Sequence, residues 1–476
     1  MLKYRYNVDG TPFDTVKDFA QGPNTHANVY GCTRQFFLAQ LASNQIGIIW
    51  QDKDDASIQL TKIAADRSSL ETLALLNYRG EDLVAATYDG QGNSYYLTIE
   101  PGEGQTTDLL SATLYKVGLT GRLLQQRALD TSSTGLNIKR FRSGNNQNTA
   151  DMKHLNGQLG LILARGMYNG HQGAIAVVFD ADTLELVKNL GQTSGHSFGN
   201  MLLENPSGNF VGIDLGDNYP RGVHLHRFTA TERQSRVVYT FKTKHGRESK
   251  NPMGGGPYGM YSEISTNDTT YYRWSNDNRT YTELGGIVEG DTDYTIVFIG
   301  EPGPEGKALL NDRTDGYLND ARNLGLVQVK SDFERVVDRT KRCVVTDEVV
   351  TTPGITETAG FYSFNGDWSE QQNTGVVWLT NYQDKEKTNA SRLKAAQLND
   401  GNILLIWETW DPYSYVNTFA MKVTATGQKL GSPIELGSHV RLNRQDDVLV
   451  VGDTVYAVAG NGAEKKLVLN VIRIKV

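Results

Sequence analysis

Cysteine is nearly absent from this chain: Cys32 and Cys343 are the only two in 476 residues. That scarcity excludes a disulfide framework and any CxxC zinc or redox motif, and it favours two buried free thiols over a bridge. Long apolar runs are missing as well. Nothing approaches the roughly 18 consecutive apolar residues of a membrane-spanning helix. The opening MLKYRYNVDGTPFD has no apolar signal core, so the expectation is a mature secreted chain, favoured over a cytoplasmic one. Basic runs are also lacking: 47 Lys and Arg face 54 Asp and Glu, for a net charge of -7. Recognition of a phosphate backbone, and with it nucleic acid as a partner, is thereby excluded. Catalytic signatures are equally scarce. There is no GxSxG elbow, Walker A loop or dinucleotide fingerprint, so no cofactor is expected. The acidic stretches QDKDDAS (51–57) and EGDTDY (289–294) lack EF-hand spacing and read as turns.

Helical periodicity is rare too. The best candidate, SSLETLALL (68–76), lies between two strand-like segments and suits a linking strand equally well. No Pro-rich or Ser-rich linker divides the chain, so residues 1–476 read as one continuous domain. Sequons at Asn267, Asn278 and Asn389 are about as many as chance supplies and do not establish secretion.

What the chain does contain is glycine (49), tyrosine (23), phenylalanine (15) and short apolar runs with alternating flanks, which is how strands read. One pattern returns: an apolar run, a Gly/Asp/Asn turn, then alternating apolar residues. The copies are at 47–63, 84–99, 159–179, 210–228, 294–302 with a delayed return at 323–329, 403–423 and 455–474. Outer-strand signatures follow several of them (FDADTLELVKNL, FTATERQSRVVYTF, VTATGQKLGSPIEL), and short inner segments precede others (TADMKHLN, HSFGNMLLE, ASRLKAAQLND). Four strands per unit is the make-up of a propeller blade. Each unit takes about 68 residues against the roughly 40 to 50 of common propeller repeats, so loop insertions must carry the excess. The longest are expected at 100–110, 240–258, 302–322 and 340–374.

On these repeats the chain resembles a β-propeller: all-β, seven-bladed, of four-stranded antiparallel sheets with long loop insertions. It carries neither the GH and WD pair of WD40 repeats nor the paired glycines of kelch. The N-terminal LKYRYNV is expected to add a strand to the sheet ending LNVIRIKV. The competing fold is two packed β-sandwiches.

In a propeller the inner strands converge on a central channel, so residues near their starts can share one opening. Those residues are Arg34, Asp151 and His154, His196, Glu283, Arg392, and His439 with Arg441. Carboxylates, guanidinium groups and imidazoles around one mouth suit an anionic or polyhydroxylated ligand; the same polarity also serves solvation alone. Five of the eight histidines, His154, His171, His196, His224 and His226, fall between 151 and 227. None forms an HExxH or a Cys/His block, so no metal site is expected. The segment GHSFGNMLLENPSGNFVGIDLGDNYPRGVHLHRF is similar, over one blade, to bacterial arylsulfotransferase-type propellers. That resemblance implies His196 as nucleophile or acid/base, with Arg34, Arg221 or Arg441 neutralising a transferred sulfuryl group. Asp217 and Arg221 could equally pin a turn around Pro220. In WETWDPYSY, Trp410 and Tyr413 are expected on an exposed loop, where aromatic faces stack on sugars or on a partner.

Three readings follow. The first is a ligand-binding propeller presenting its channel mouth and loops to a glycan, an anionic small molecule or a protein. Another is a structural or interaction hub inside the cell, consistent with the missing signal segment. The alternative is a propeller enzyme, a transferase, hydrolase or lyase on an anionic or carbohydrate substrate, using His196, Glu283 and Asp151.

Overall fold

The computed structural model describes the chain apart from residues 1, 10–33, 35, 42–44, 53–54, 65–68, 78–79, 101–108, 131, 133, 140–149, 167–171, 194–198, 205, 217–221, 241–262, 267–268, 273–281, 303–320, 332–375, 412–413, 438–439, 444, 453, 462–465 and 474–476. Most of each expected insertion, and both cysteines, lie outside the described residues.

Six sheets are each built from four consecutive strands. They are β2 to β5 (Phe36–Leu41, Gln45–Gln51, Ile58–Ala64, Leu70–Leu75), β6 to β9 (Asp82–Tyr88, Asn93–Ile99, Ala112–Gly118, Leu123–Leu129) and β10 to β13 (Ala150–Leu155, Gln158–Gly166, Gln172–Asp180, Leu186–Gln192). They continue with β14 to β17 (Asn200–Leu202, Phe210–Gly216, Gly222–Phe228, Arg233–Thr240), β20 to β23 (Glu283–Glu289, Asp293–Gly300, Asn323–Lys330, Val377–Trp378) and β24 to β27 (Asn389–Gln397, Ile403–Trp410, Tyr415–Val423, Ile434–Glu435). A two-stranded hairpin, β18 (Glu263–Thr266) with β19 (Thr269–Tyr272), stands between two of these sheets in the sequence. The remaining four-stranded sheet is of different make. It takes β28 (Leu449–Val451), β29 (Thr454–Asn461) and β30 (Lys466–Arg473) from the C-terminal end and β1 (Leu2–Asp9) from the N-terminal end, with Leu2 opposite Arg473 and Asp9 opposite Lys466. The seven equivalent units expected from the hairpin copies are therefore six consecutive units and one composite sheet.

The strands of each sheet pair antiparallel. The innermost strands touch in cyclic order: β2 meets β6, then β10, β14, β20, β24 and β28 follow, and β28 returns to β2. This is a propeller, and it displaces the two-sandwich alternative. Each sheet is covered by a neighbour on both faces, so second strands such as β21 and β25 are almost wholly buried and read as unbroken apolar runs. Outer strands β5 and β9 are exposed along most of their length. The 68–76 segment thus contains the outer strand β5 rather than a helix, because it has an inner neighbour to pair with and only an edge to cover. One copy maps differently from the others. Residues 84–99 form β6 and β7, the first and second strands, because the tight DGQGN turn there joins an inner pair; the third strand, β8, follows 101–108.

Where sheets close on one another, glycine removes the side chain that would hold them apart. A Cβ on Gly160 would stand 2.4 Å from the Phe210 ring of the next sheet, and one on Gly212 would stand 2.6 Å from Leu202 and 2.8 Å from Ile162. The sequon residue Asn389 is buried at the start of β24, its Nδ2 donating to the Lys385 carbonyl at 2.6 Å and its Oδ1 accepting the Arg322 N–H at 3.3 Å.

Candidate functional site

At the channel, the innermost strands, and the segment leading into β28, have backbone N–H groups with no further strand to pair with. Side chains of the preceding sheet meet them. Gln51 Oε1 accepts the Leu83 N–H at 3.0 Å, Asp151 Oδ2 the Leu202 N–H at 2.6 Å, Glu283 Oε2 the Arg392 N–H at 2.5 Å, and Glu408 Oε1 the Leu442 N–H at 2.7 Å. Four sheet junctions are thus clasped by one device. Glu283 adds a bond from the Ser391 hydroxyl at 2.9 Å.

The cations attach to these clasps. Arg34, just before β2, donates to Asp447 and, at 3.1 Å, to Asp151. Lys153 reaches Glu204, lies 3.7 Å from Asp151 Oδ1 and 3.5 Å from Asp447 Oδ2. In the cyclic order of sheets, two stand between Lys153 and Asp447 on one side and three on the other. Their contact therefore spans the channel, which at this end is crossed by charged side chains. Lys394, buried on β24, feels Asp446, Asp447, Arg34 and Glu283 together. Burial lowers its pKa to about 8, against the pull of the carboxylates. Burial raises the pKa of Asp151 despite Arg34 and Lys153, whereas at Asp447 the same burial is outweighed by these two cations and the pKa falls.

A second group adjoins the first through Glu283. A bulge between Ser391 and Lys394 puts Arg392 at φ +55, a left-handed conformation that costs a non-glycine residue on the order of 1 kcal/mol or more. The bulge aims the Arg392 guanidinium at Glu408 Oε2 (2.6 Å) and sets it 4.5 Å from the Trp410 ring centre. Arg441 Nε donates to Glu408 Oε1 at 3.1 Å, and its guanidinium lies 3.8 Å from the Tyr415 ring centre. Solvent reaches this network at Asp447, Glu204 and Arg441, whose side chains are 30%, 41% and 24% exposed.

Of the residues expected at one opening, the structure brings Arg34, Asp151, Glu283, Arg392 and Arg441 into this connected network. His154 stands apart: it stacks on Tyr95 at 5.9 Å, and burial lowers its pKa. Adjacent residues of a strand face opposite ways, so His154 cannot share the direction of Lys153. Trp410 corrects a second expectation. It is 2% exposed, donates Nε1–H to Glu408 at 2.8 Å and is covered by two guanidinium groups, so its face is closed to a sugar ring. His171, His196, Asp217, Arg221, Tyr413 and His439 lie outside the described residues. Sequence reasoning missed Lys153, Glu204, Lys394, Glu408, Asp446 and Asp447. A usable signal existed for Glu408, a lone charge inside the apolar run ILLIWETW.

His224 and His226 share one strand, their rings 6.2 Å apart. His226 has no exposure, with Nε2 3.0 Å from Asp214 Oδ1 and Nδ1 2.8 Å from Ser235 Oγ. Burial would raise the Asp214 pKa, but His226, His224 and the Thr193 hydroxyl outweigh it and hold the carboxyl at about 2. A carboxylate depressed in the folded state stabilises the fold above its ordinary value, 3.8, and loses that contribution as pH falls through the folded value. About 2 kcal/mol is expected to be lost between roughly pH 4 and pH 2. Urea unfolding across that range, beside Asp214→Asn, checks it: equal pH slopes in both proteins would remove Asp214 from the account.

No family model and no curated protein matches the sequence. Among solved structures, the chain is similar to the β-propeller domain of the Trilobed protease from Pyrococcus furiosus (7% identity, 93% of this chain and 97% of that one, TM-score 0.38). It is similar to the six-bladed Aleuria aurantia lectin (9%, 86% and 98%, TM-score 0.34) and to Trypanosoma rangeli sialidase (10%, 87% of this chain but 59% of the sialidase, TM-score 0.38).

Proposed function

We propose that this protein is a ligand-binding propeller that receives a polar partner, a glycan or a protein loop, at the end of the ring where the inner strands begin. The carrying observation is how the buried carboxylates are used. Asp151 Oδ2 holds the Leu202 N–H and Arg34, and the two Glu283 oxygens hold the Arg392 N–H and the Ser391 hydroxyl, so three of these four oxygens are engaged in joining neighbouring sheets, while Asp151 Oδ1 faces Lys153 at 3.7 Å. What remains available to a partner is the solvent edge of the network: Glu204, Asp447 and Arg441. Two carboxylates and a guanidinium at one solvent edge suit hydroxyl-rich and mixed-charge ligands.

A glycan array read beside chromogenic sulfate and glycoside substrates separates this reading from the enzyme. Binding without turnover is expected, and Glu204→Gln with Asp447→Asn should weaken it by about tenfold, the cost of one or two charge-assisted hydrogen bonds. Turnover of any substrate by the wild-type chain, or full binding by the double variant, goes against it.

A further inference from the structure

Arg165, on β11, belongs to none of the clasps described above. It continues the alternation of Leu161 and Leu163, whose side chains pack into the core between the β6 and β10 sheets, together with Leu136 and Ile138. Since Ala150 pairs with Leu163, Arg165 sits at the same end of the ring as the start of β10. It is 7% exposed. Its Nη1 donates to the carbonyl of Asn137 at 3.1 Å, Asn137 itself being left-handed at φ +47. Among the described residues, Nε has no partner. Nor does any described carboxylate pair with this guanidinium, whereas Arg34, Arg392 and Arg441 each meet one.

A guanidinium stays charged at any physiological pH, and burying it without a counter-charge is strongly unfavourable. Burial alone brings its pKa down to about 10, with no carboxylate to offset the effect. With Nη1 already engaged, the edge left over is the Nε/Nη2 side. That edge is a two-donor fork, matched in geometry to two oxygens of one anionic group. We infer that Arg165 is the anchor of an anion-binding site between the β6 and β10 sheets, taking a carboxylate or a sulfate or phosphate group through its Nε/Nη2 edge. This inference does not rest on the ligand-binding reading above, since Arg165 touches none of the residues used there.

The test is thermal unfolding of the full chain at fixed ionic strength in chloride, with acetate, sulfate or phosphate titrated in, for the wild type, Arg165→Met and Arg165→Lys. The wild type should show a saturable rise in melting temperature with at least one of these anions. A response to acetate alone identifies a carboxylate ligand, and a response to sulfate or phosphate alone identifies an ester or free oxyanion. Arg165→Met should lose the saturable part, and Arg165→Lys, which keeps the charge but not the fork, should bind about tenfold or more weakly. In chloride, Arg165→Met should be at least as stable as the wild type, because it removes an uncompensated buried charge. Three results overturn the inference: no saturable response in the wild type, an unchanged response in Arg165→Met, or marked destabilisation of Arg165→Met in chloride, which would mean the charge is already satisfied within the protein.

Discussion

Glu408→Ala is expected to lower the free energy of unfolding by about 3–5 kcal/mol, the cost of removing one partner from a buried charge network. Glu408 has no exposure and receives four donors: Arg392 Nη1, Trp410 Nε1, Arg441 Nε and the Leu442 N–H. Without it, Arg441 can swing toward water, but the buried Arg392 loses the carboxylate that also offsets its left-handed backbone. The clasp on Leu442 opens at the same time, loosening the junction between the β24 sheet and the composite sheet. Glu408→Gln, which keeps the shape and one acceptor oxygen, should cost roughly half as much. Urea titrations measure both: the midpoint should fall with the slope unchanged. An alanine variant within about 1 kcal/mol of wild type would refute the clasp.

Gly160→Ala should cost about 1–3 kcal/mol, toward the upper end, through steric conflict alone. The added methyl would meet the Phe210 ring at 2.4 Å, and that ring is itself buried and stacked on Phe228 at 5.3 Å. Phe210 therefore has no free direction in which to yield. Gly208→Ala serves as the control, because a methyl there would meet nothing within 4 Å, and it should change stability by less than about 0.5 kcal/mol. Adding Phe210→Leu to Gly160→Ala should recover part of the loss. If the pair is merely additive, the conflict lies elsewhere.

Strand order was legible because each middle strand must be apolar on both faces, a signal strong enough to survive long insertions. The composite sheet could be anticipated from LKYRYNV and LNVIRIKV, two alternating segments at opposite ends of the chain. The 84–99 copy was misplaced within its sheet for the same physical reason it was found, since any tight turn between apolar strands looks alike in one dimension. The site was legible only in part. Arg34, Asp151, Glu283, Arg392 and Arg441 stand out as charges near strand starts, but their work depends on which backbone N–H lies across the junction, and register between sheets leaves no mark on the sequence. Lys394 and Asp447 sit in ordinary polar surroundings in the chain and become neighbours only when the ring closes. Arg165, at the end of an apolar run, carries no pattern that sets it apart from the paired arginines.

The pairing of β1 with β30 has a consequence for how the molecule is assembled. Among the described strands β1 comes first in the chain and its partner, which begins at Lys466, comes last. Until the two meet, β1 is unpaired and so, once made, is the outer edge of β30, and such an edge accepts any strand of matching pattern. The best match in a crowded refolding solution is the same N-terminal strand of a second copy. Exchanging that strand would close both rings with the same hydrogen bonds, so monomer and strand-swapped dimer differ mainly in the entropy of the connection, and concentration during folding selects between them.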